Sequence, residues 1–488
     1  NGTIGDPYSG VAKRCYHVPS AWTPPATTNL NNNGYFFARV QVCDRDSSTY
    51  ALKDTRYWGL CSKYQQASNN TNPIYKPTGT IQKYADQVRL AAFGYAMDPT
   101  ASYNSGGRYG GVLRAPAKYV GARTFDASGF ENTPTGGNTK QEWDPVTGIF
   151  YPNPDANTTV QTADGRGIYL SGVTNYLNQF GRTGSIAGRY KTYDPIGELH
   201  YESLRYLQGL QPSADAWSGL TTDMYDGYPL STTWTDPYAG RSTTSDYSCL
   251  KSNIVVIGDI NTHDGNRLPA ASVAGNIPDI DAWRTVVRNF ERNTISTYVD
   301  GQGVTRSTAN PNGANTSVPS ASRTSQIMGS AYWARTHDIR PATWSNEPTK
   351  QMPGLRVKTF VFDVNEYGGS NNANTRRTSN QLFMAAKYGG FETDPANTAN
   401  NEYNTRGNPF VSEADGTNNN YVWADKDTRT SRVGEANTYF LQSDARGVLT
   451  AFDDIFARAS TTARSISGTA VQSKNLTQGD TVYQGHFD

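Results

Sequence analysis

The segment Ile254-Val-Val-Ile-Gly-Asp-Ile-Asn261 carries the clearest indication of architecture in this chain of 488 residues. Its four consecutive apolar, β-branched residues are typical of a strand that is covered by helices on both faces. A second segment, Val357 to Val364, has the same plan and reaches Asp363. The two segments therefore predict neighbouring strands of one buried sheet.

Helical patterns accompany these strands. Asp194-Pro195 offers a side-chain acceptor at a cap and a fixed φ in the first turn, so a helix is predicted to begin there. Another helix is predicted from about Asn380, with Gly389-Gly390 as its stop, and a third carries Phe452 and Ile455. Strands that alternate with helices predict an α/β fold with a mostly parallel sheet flanked by helices.

Composition narrows the class of protein. The 44 basic and 43 acidic side chains leave a net charge of +1, which argues against a nucleic-acid partner held by bulk charge. No run approaches the roughly 18 apolar residues of a membrane span, so none is predicted. Charged residues make up only 18% of the chain, and the abundance of Tyr, Asn, Thr and Gly favours an extracellular location.

The four cysteines fit an oxidising compartment. Cys15, Cys43, Cys61 and Cys249 are an even number and allow three pairings. Cys43 and Cys61 flank a short polar stretch, which favours a bridge between them. The alternative is that all four are buried thiols.

Asp259 is the strongest candidate ligand. It follows a predicted strand at the end where ligands bind in open α/β sheets, with Asn261, His263 and Asp264 close behind. Oxygen ligands suit Mg²⁺ or Ca²⁺. Alternatively, Asp259 and Asn261 only stabilise the following turn through hydrogen bonds to the backbone. The similar Asp363 is predicted to form a turn.

Nothing in the sequence nominates an enzyme. The five histidines are scattered and form no zinc-type pair, and there is no nucleophile elbow, phosphate loop or dinucleotide-binding glycine pattern. We therefore predict a non-catalytic protein. Two alternatives stay open: a structural subunit of an extracellular fibre or surface layer, and a secreted polysaccharide-active enzyme. The enzyme would use aromatic residues to line a groove, although these residues equally suit a core: Tyr225, Tyr228, Trp234 and Tyr238.

Several segments together resemble the type IV pilus tip adhesin (PilY/PilC) family, in the order in which the family has them. They are Arg39-Val-Gln-Val-Cys43, Tyr75-Lys-Pro-Thr-Gly-Thr-Ile-Gln82, Arg89-Leu-Ala-Ala-Phe-Gly-Tyr95, Gly111-Val-Leu-Arg114, Tyr193-Asp-Pro-Ile-Gly-Glu-Leu199, Ile257-Gly-Asp-Ile-Asn-Thr-His263, Thr336-His-Asp-Ile-Arg-Pro341 and Ala385-Ala-Lys-Tyr-Gly-Gly-Phe391. The closing Val482-Tyr-Gln-Gly-His-Phe-Asp488 resembles the strand with which that family enters a C-terminal β-propeller.

The resemblance implies a von Willebrand factor A-like (Rossmann-like) domain over residues 1–465, with large loop and β insertions. The remaining segment, 466–488, is expected to be an exit linker or strand towards a propeller that this chain does not contain. The inserted loops are expected at about 97–165, 211–250, 265–330 and 392–438.

The resemblance also implies a metal-ion-dependent adhesion site built from three loops. Asp259 corresponds to the aspartate of the third loop, and Asp194-Pro195, with Thr192 nearby, corresponds to the Thr-Pro of the second. The first loop requires Asp-x-Ser-x-Ser, which this chain does not contain. A partial site for Mg²⁺ or Ca²⁺ is therefore expected.

The function implied by the resemblance is that of a pilus-tip adhesin module. Such a module binds host or abiotic surfaces and minor pilins, and it supports pilus biogenesis without catalysis. The expected location is the cell surface or pilus tip of a Gram-negative bacterium. Neither a nucleic-acid partner nor a membrane span is expected.

Overall fold

A computed structural model describes much of the chain, and all of the described residues belong to one compact unit, Cys43–Asp488. The described residues are 43–53, 59–67, 70–126, 129–160, 169–179, 191–240, 250–270, 277–292, 296–299, 305–308, 318–344, 348–392, 410, 422–425, 434–441 and 445–460. Cys15, Cys249 and the expected exit segment 466–488 lie outside them.

Strands and helices follow one another along the described residues. The strands are β1 (Cys61–Ala67), β2 (Asn70–Pro77), β3 (Leu90–Gly94), β4 (Val112–Lys118), β5 (Ser252–Gly258), β6 (Ser296–Val299), β7 (Thr305–Thr308), β8 (Val357–Asp363) and β9 (Tyr439–Leu441). The helices are α1 (Thr80–Lys83), α2 (Val173–Gln179), α3 (Ile196–Leu207), α4 (Ala214–Trp217), α5 (Ile280–Glu291), α6 (Gln326–Thr336), α7 (Ala373–Ser379), α8 (Gln381–Gly390) and α9 (Ala445–Ser460).

A parallel sheet with the strand order β5-β8-β9 lies between two hydrophobic cores of the described unit. Strands β5 and β8 pair over their whole length, from Ser252 opposite Val357 to Gly258 opposite Asp363. Both segments were predicted as strands, and both predictions are confirmed. Because parallel neighbours need a crossover, the long segments between them carry helices α5 to α8.

Alternate side chains of the sheet enter two different cores, as the period of two in a strand requires. Ile254, Val256 and Val361 pack into the large core beneath α3, α6 and α8. Phe360 and Phe362 point the other way and pack against α9. The predicted α/β sheet flanked by helices is thus confirmed, although Ile257 at the end of β5 is half-exposed.

A smaller core lies beside the sheet. Antiparallel strands β3 and β4 bring Ala92 and Ala115 together with Val173 and Tyr176 of α2. Strand β4 falls inside the first expected insertion, which therefore contains strand structure. The aromatic residues considered for a glycan groove pack mostly in the protein interior, since Tyr228, Trp234 and Tyr238 are buried.

A polar hairpin precedes this region. Strands β1 and β2 are antiparallel neighbours, with Cys61 opposite Pro77. The predicted bridge between Cys43 and Cys61 is present, with 5.9 Å between the Cα atoms. It links the start of the hairpin to the turn-rich segment before it.

Helix caps agree in part with the sequence. The Asn380 side chain accepts hydrogen bonds from the backbone N–H groups of Leu382 and Phe383, as expected of an N-cap. Helix α8 ends at Gly390, so the two glycines predicted to stop the helix are its last two residues. The end of the helix also packs closely against the residue before β9, because a Cβ at Gly390 would lie 2.0 Å from Thr438 Oγ1.

Candidate loop site at the carboxyl end of the sheet

Two loops leave the carboxyl ends of β5 and β8 side by side. Asp259 follows the first strand and Asp363 ends the second. The amide of Asn261 in the first loop donates to Glu366 in the second, at 3.2 Å. The register of the sheet therefore places Asp259 close enough to Glu366 and Asp363 for their charges to interact, although the two loops are about 100 residues apart in sequence.

Asp259 closes its own turn. Its carboxylate accepts a hydrogen bond of 2.6 Å from the backbone N–H of Asn261. Burial raises the pKa of Asp259, and the carboxylates of Glu366 and Asp363 raise it further, against the effect of that hydrogen bond. The turn that the sequence offered as one alternative is therefore present, and the role of Asp259 as a metal ligand stays a prediction.

Asp363 forms a turn of the same kind and is also buried. Its carboxylate accepts from the backbone N–H of Asn365 at 2.8 Å, which is the turn that the sequence predicted. The hydroxyl groups of Ser370 and Tyr439 donate to its other oxygen, both at 2.6 Å. This side chain therefore joins β8 to β9 and to the loop between them.

Asp194 comes close to the first loop through His263. Its Oδ1 shares a hydrogen bond of 2.9 Å with His263 Nδ1, and its backbone oxygen accepts from the His263 N–H at 3.0 Å. Burial raises the pKa of Asp194 to about 6; the His263 hydrogen bond opposes this shift and the charge of Asp259 adds to it. Thr192 is exposed, and its backbone N–H donates to the backbone oxygen of Asp98 at 3.4 Å.

The expected start of α3 needs a correction. Asp194 does not cap the helix with its side chain; Pro195 is the N-cap and makes no side-chain cap bond. Instead, the carboxylate of Asp264 accepts from the backbone N–H of Glu198 at 2.9 Å. A residue from the loop after β5 thus satisfies a donor of the first helical turn, which a local pattern at Asp194 could not reveal.

Two buried carboxyl groups hold this end of the sheet together. Glu198 accepts hydrogen bonds from Ser102 Oγ at 2.6 Å and from the backbone N–H groups of Gly110 at 2.9 Å and Gly265 at 2.7 Å. Burial raises the pKa of Glu198, against these hydrogen bonds. Burial also raises the pKa of Asp264 to about 8, with a further contribution from the Glu198 charge, so Asp264 carries a proton at neutral pH.

The donor set does not fit a metal ion as it stands. Among the described residues, no group of three or more His, Cys, Asp or Glu side chains converges as metal ligands. The carboxylate of Asp194 is bound to His263, and that of Asp259 is turned towards its own loop. A site for Mg²⁺ or Ca²⁺ at Asp259, Asp194 and Thr192 stays a prediction, which calorimetric titration of the chain and of Asp259→Ala would test.

Comparisons with known proteins address the resemblance. Residues 100–330 match the family model "PilY1 homolog, second domain". The chain is also 29% identical, over 485 residues and 94% of its length, to the "Type IV pilus biogenesis factor PilY1 homolog" of Xylella fastidiosa (strain Temecula1). The resemblance to the PilY family is confirmed.

The PilY relationship has defined limits. The chain spans 35% of the length of the Xylella fastidiosa relative. No solved structure matches the chain, so the von Willebrand factor A-like assignment stays a prediction. Within the described residues, every helix is too short or too polar to cross a membrane.

Proposed function

We propose that this chain is the tip module of a type IV pilus, which supports pilus biogenesis and attaches to host or abiotic surfaces without catalysis. The observation that carries the proposal is the 29% identity over 94% of the chain to a protein named as a pilus biogenesis factor. Under this proposal the protein acts outside the cell, at the cell surface or pilus tip, and minor pilins are its partners there.

The fold suits this role. A parallel sheet flanked by helices is a rigid platform, and loops on such a platform carry recognition because their backbone remains solvated. The loops at the carboxyl ends of β5 and β8 are fixed by the buried groups Glu198, Asp264 and Asp363. We propose that this platform is a von Willebrand factor A-like domain and that its loop edge faces the partner.

Deletion of the corresponding gene tests the proposal. We expect fewer surface pili by electron microscopy and weaker attachment to cells or glass, both restored by a plasmid copy. The same deletion in a strain that cannot retract its pili separates biogenesis from attachment. Any pili that form there without the protein should still fail to attach. Unchanged pilus number and unchanged attachment after deletion would contradict the proposal.

Minor pilins provide a second measurement. We expect the purified chain to retain minor pilins from the same organism in a pull-down, whereas the major pilin should pass through. Retention of the major pilin alone, or of neither, would speak against the proposed position at the tip.

A further inference from the structure

An open cleft of about 480 Å³ adjoins the loop that follows β5. Its lining includes Asp281 and Arg284 of α5, the turn at 321–324 and Gln326, the first residue of α6. Tyr103, from the loop between β3 and β4, contributes an exposed ring. Because four separate segments meet here, no single motif in the sequence marks the cleft.

Two buried polar atoms in this lining have no hydrogen-bond partner within the described part of the chain. The Gln326 side chain is 3% exposed; its Nε2 donates to Asp281 Oδ1 at 2.8 Å, while its Oε1 receives nothing. Arg284 donates from Nη1 to the Ser322 oxygen at 3.1 Å, while its Nε remains without an acceptor. Since buried polar groups are nearly always paired, the cleft offers one acceptor and one donor to a ligand.

The cleft has only a small excess of positive charge, since Arg284 and Arg323 face Asp281 while Asp264 is protonated at neutral pH. Arg284 lies 3.3 Å from the carboxylate of Asp281 and forms an ion pair with it. A phosphate group would be bound by a clear surplus of cations, which this pairing reduces. The ligand is therefore recognised mainly by hydrogen bonds.

The chemical character of the lining narrows the ligand further. Short polar side chains predominate, including Thr262, Ser322 and Thr324, whereas a drug-like apolar ligand needs a mostly apolar lining. A hydroxyl group both donates and accepts, which matches the neighbouring unpaired atoms of Gln326 and Arg284. A ligand rich in hydroxyl groups satisfies this pattern.

Tyr103 adds a flat apolar surface. Tyr103 is 48% exposed, and its ring stacks on that of His263, with 6.0 Å between the ring centroids and 23° between the planes. The backbone oxygen of Tyr103 accepts from Arg323 at 3.4 Å, which joins its loop to the turn on the other side of the cleft. An aromatic ring fixed in this way can pack against the C–H face of a sugar ring.

We propose that this cleft binds a saccharide, which stacks on Tyr103 and hydrogen-bonds through its hydroxyl groups to Gln326 Oε1 and Arg284 Nε. The inference deepens the surface-attachment part of the proposed function and rests on it for its biological role. It concerns a region distinct from the buried aromatic residues at 225–238 and involves no hydrolysis.

A glycan array tests the proposal with the purified chain. The array carries neutral oligosaccharides and oligosaccharides with uronic or sialic acid, and calorimetry then measures the best ligand. We expect Tyr103→Ala to weaken binding about three- to tenfold through the loss of the aromatic contact. Tyr103→Phe keeps the ring and should bind as the original chain does.

A matched control and a second variant complete the design. Phe130 is 72% exposed, lies away from the loops after β5 and β8 and does not line the cleft, so Phe130→Ala should leave saccharide binding unchanged. Gln326→Met, once its folding is verified by circular dichroism, should also weaken binding. Failure of that variant to fold leaves the Tyr103 pair as the decisive comparison.

Three results would overturn the saccharide site: no binding on the array or at millimolar concentration, binding that Tyr103→Ala leaves intact, or preferential binding of a peptide. These results are independent of pilus number and attachment in the deletion strain. Saccharide binding with normal piliation and attachment after deletion would refute the pilus role and keep the site. Lost piliation without saccharide binding would refute the site and keep the pilus role.

Discussion

Asp264 caps helix α3 although it lies 66 residues beyond Glu198, whose backbone N–H it accepts. Its second oxygen accepts from the Thr262 hydroxyl at 2.8 Å, so the side chain is held on both sides. Burial raises its pKa from 3.8 to about 8. A proton on this carboxyl group is therefore part of the folded state at neutral pH.

We predict that stability falls as pH rises from about 6.5 to about 8. Folded Asp264 keeps a proton that the unfolded chain has already lost, so unfolding releases this proton and higher pH favours it. The loss should amount to about 2 kcal/mol over this interval, at about 1.4 kcal/mol per pH unit. Urea unfolding at several pH values measures it.

Asp264→Asn is the control for this prediction. The amide cannot ionise and its oxygen can still accept from Glu198, so the fall between about pH 6.5 and 8 should disappear. Burial lowers the pKa of His200 to about 4, so below about pH 6.5 this residue makes stability rise with pH. The interval for Asp264 therefore begins at about 6.5. Equal slopes in the two proteins would show that Asp264 is not the titrating group.

At the scale of single residues, the sequence predicted local hydrogen bonds better than distant ones. The turns at Asp259 and Asp363 depend on a backbone N–H two residues away, so a short motif contains all the information. The partner of Asp194 is His263, 69 residues away. No spacing rule within one element could identify that contact.

Helices α5 and α6 pack with almost no space between them at Gly329. A Cβ atom at this position would lie 2.5 Å from the Ile280 oxygen and 2.6 Å from the Arg284 backbone nitrogen. Both atoms belong to the backbone, so no side chain can move aside. We predict that Gly329→Ala lowers the free energy of unfolding by about 2 kcal/mol.

Gly79→Ala provides the comparison for the Gly329 prediction. Nothing lies within 4 Å of a Cβ built at Gly79, and its φ of −92° suits any residue. This variant should change the free energy of unfolding by less than about 1 kcal/mol, because alanine restricts the unfolded chain but is a poorer N-cap than glycine for the short helix α1. Denaturant unfolding of both variants measures the difference, and equal stability would contradict the close packing of α5 on α6.

The bridge between Cys43 and Cys61 should stabilise the hairpin of β1 and β2. The cysteines are 18 residues apart, and closing a loop of that size in the unfolded chain is worth about 3 kcal/mol. We predict faster amide hydrogen exchange in β1 and β2 after reduction or in a Cys43→Ser/Cys61→Ser variant. Amides of β5 and β8 should keep their rates; unchanged exchange in the hairpin would refute the prediction.

Among the elements, the buried strands β5 and β8 were predicted, whereas the buried helix α6 and the polar strands β1 and β2 were not. Strand β5 contains the apolar run Ile254 to Ile257 and β8 the run Phe360 to Phe362, because cores lie on both faces of the sheet, and such runs are a continuous signal. Strands β1 and β2 read Cys-Ser-Lys-Tyr-Gln-Gln-Ala and Asn-Thr-Asn-Pro-Ile-Tyr-Lys-Pro, without a repeating apolar face. Their pairing depends on contacts between the two segments, so hydrophobic periodicity within either segment cannot predict it.

For the molecule as a whole, Arg340 connects regions far apart in sequence. Its guanidinium donates to both oxygens of Asp236, at 2.8 and 2.7 Å, and its Nε donates to the Leu207 oxygen at 2.7 Å. The side chain is completely buried and lies 4.8 Å from the centre of the Tyr238 ring. It thereby attaches the segment after α4 and the end of α3 to the segment after α6.

We predict that Arg340→Lys lowers the free energy of unfolding by about 3 kcal/mol. Lysine keeps the charge but cannot donate to two carboxylate oxygens and a backbone oxygen in one plane, which leaves buried acceptors unpaired. The exposed pair of Arg123 and Asp86 supplies a control, since Arg123→Lys should change stability by less than about 1 kcal/mol. Equal effects in urea unfolding would contradict a central role for Arg340.

The α/β class and the PilY resemblance could be predicted from the sequence because both depend on many segments in a fixed order. It could not place the cleft, whose lining joins Tyr103 with Asp281 and Gln326. Such surfaces arise only when the segments between strands have been packed against each other. Fold class is therefore accessible from local patterns, whereas this kind of site requires tertiary structure.

The position of the Cys43–Cys61 bridge has a mechanical consequence. Tension applied to the chain on either side of the bridge passes through the two sulfur atoms and bypasses the intervening residues. At 3.3–3.6 Å per extended residue, about 60 Å of contour length stays hidden for as long as the bond is oxidised. Stretched to its limit, the oxidised chain is therefore shorter than the reduced one by about this length.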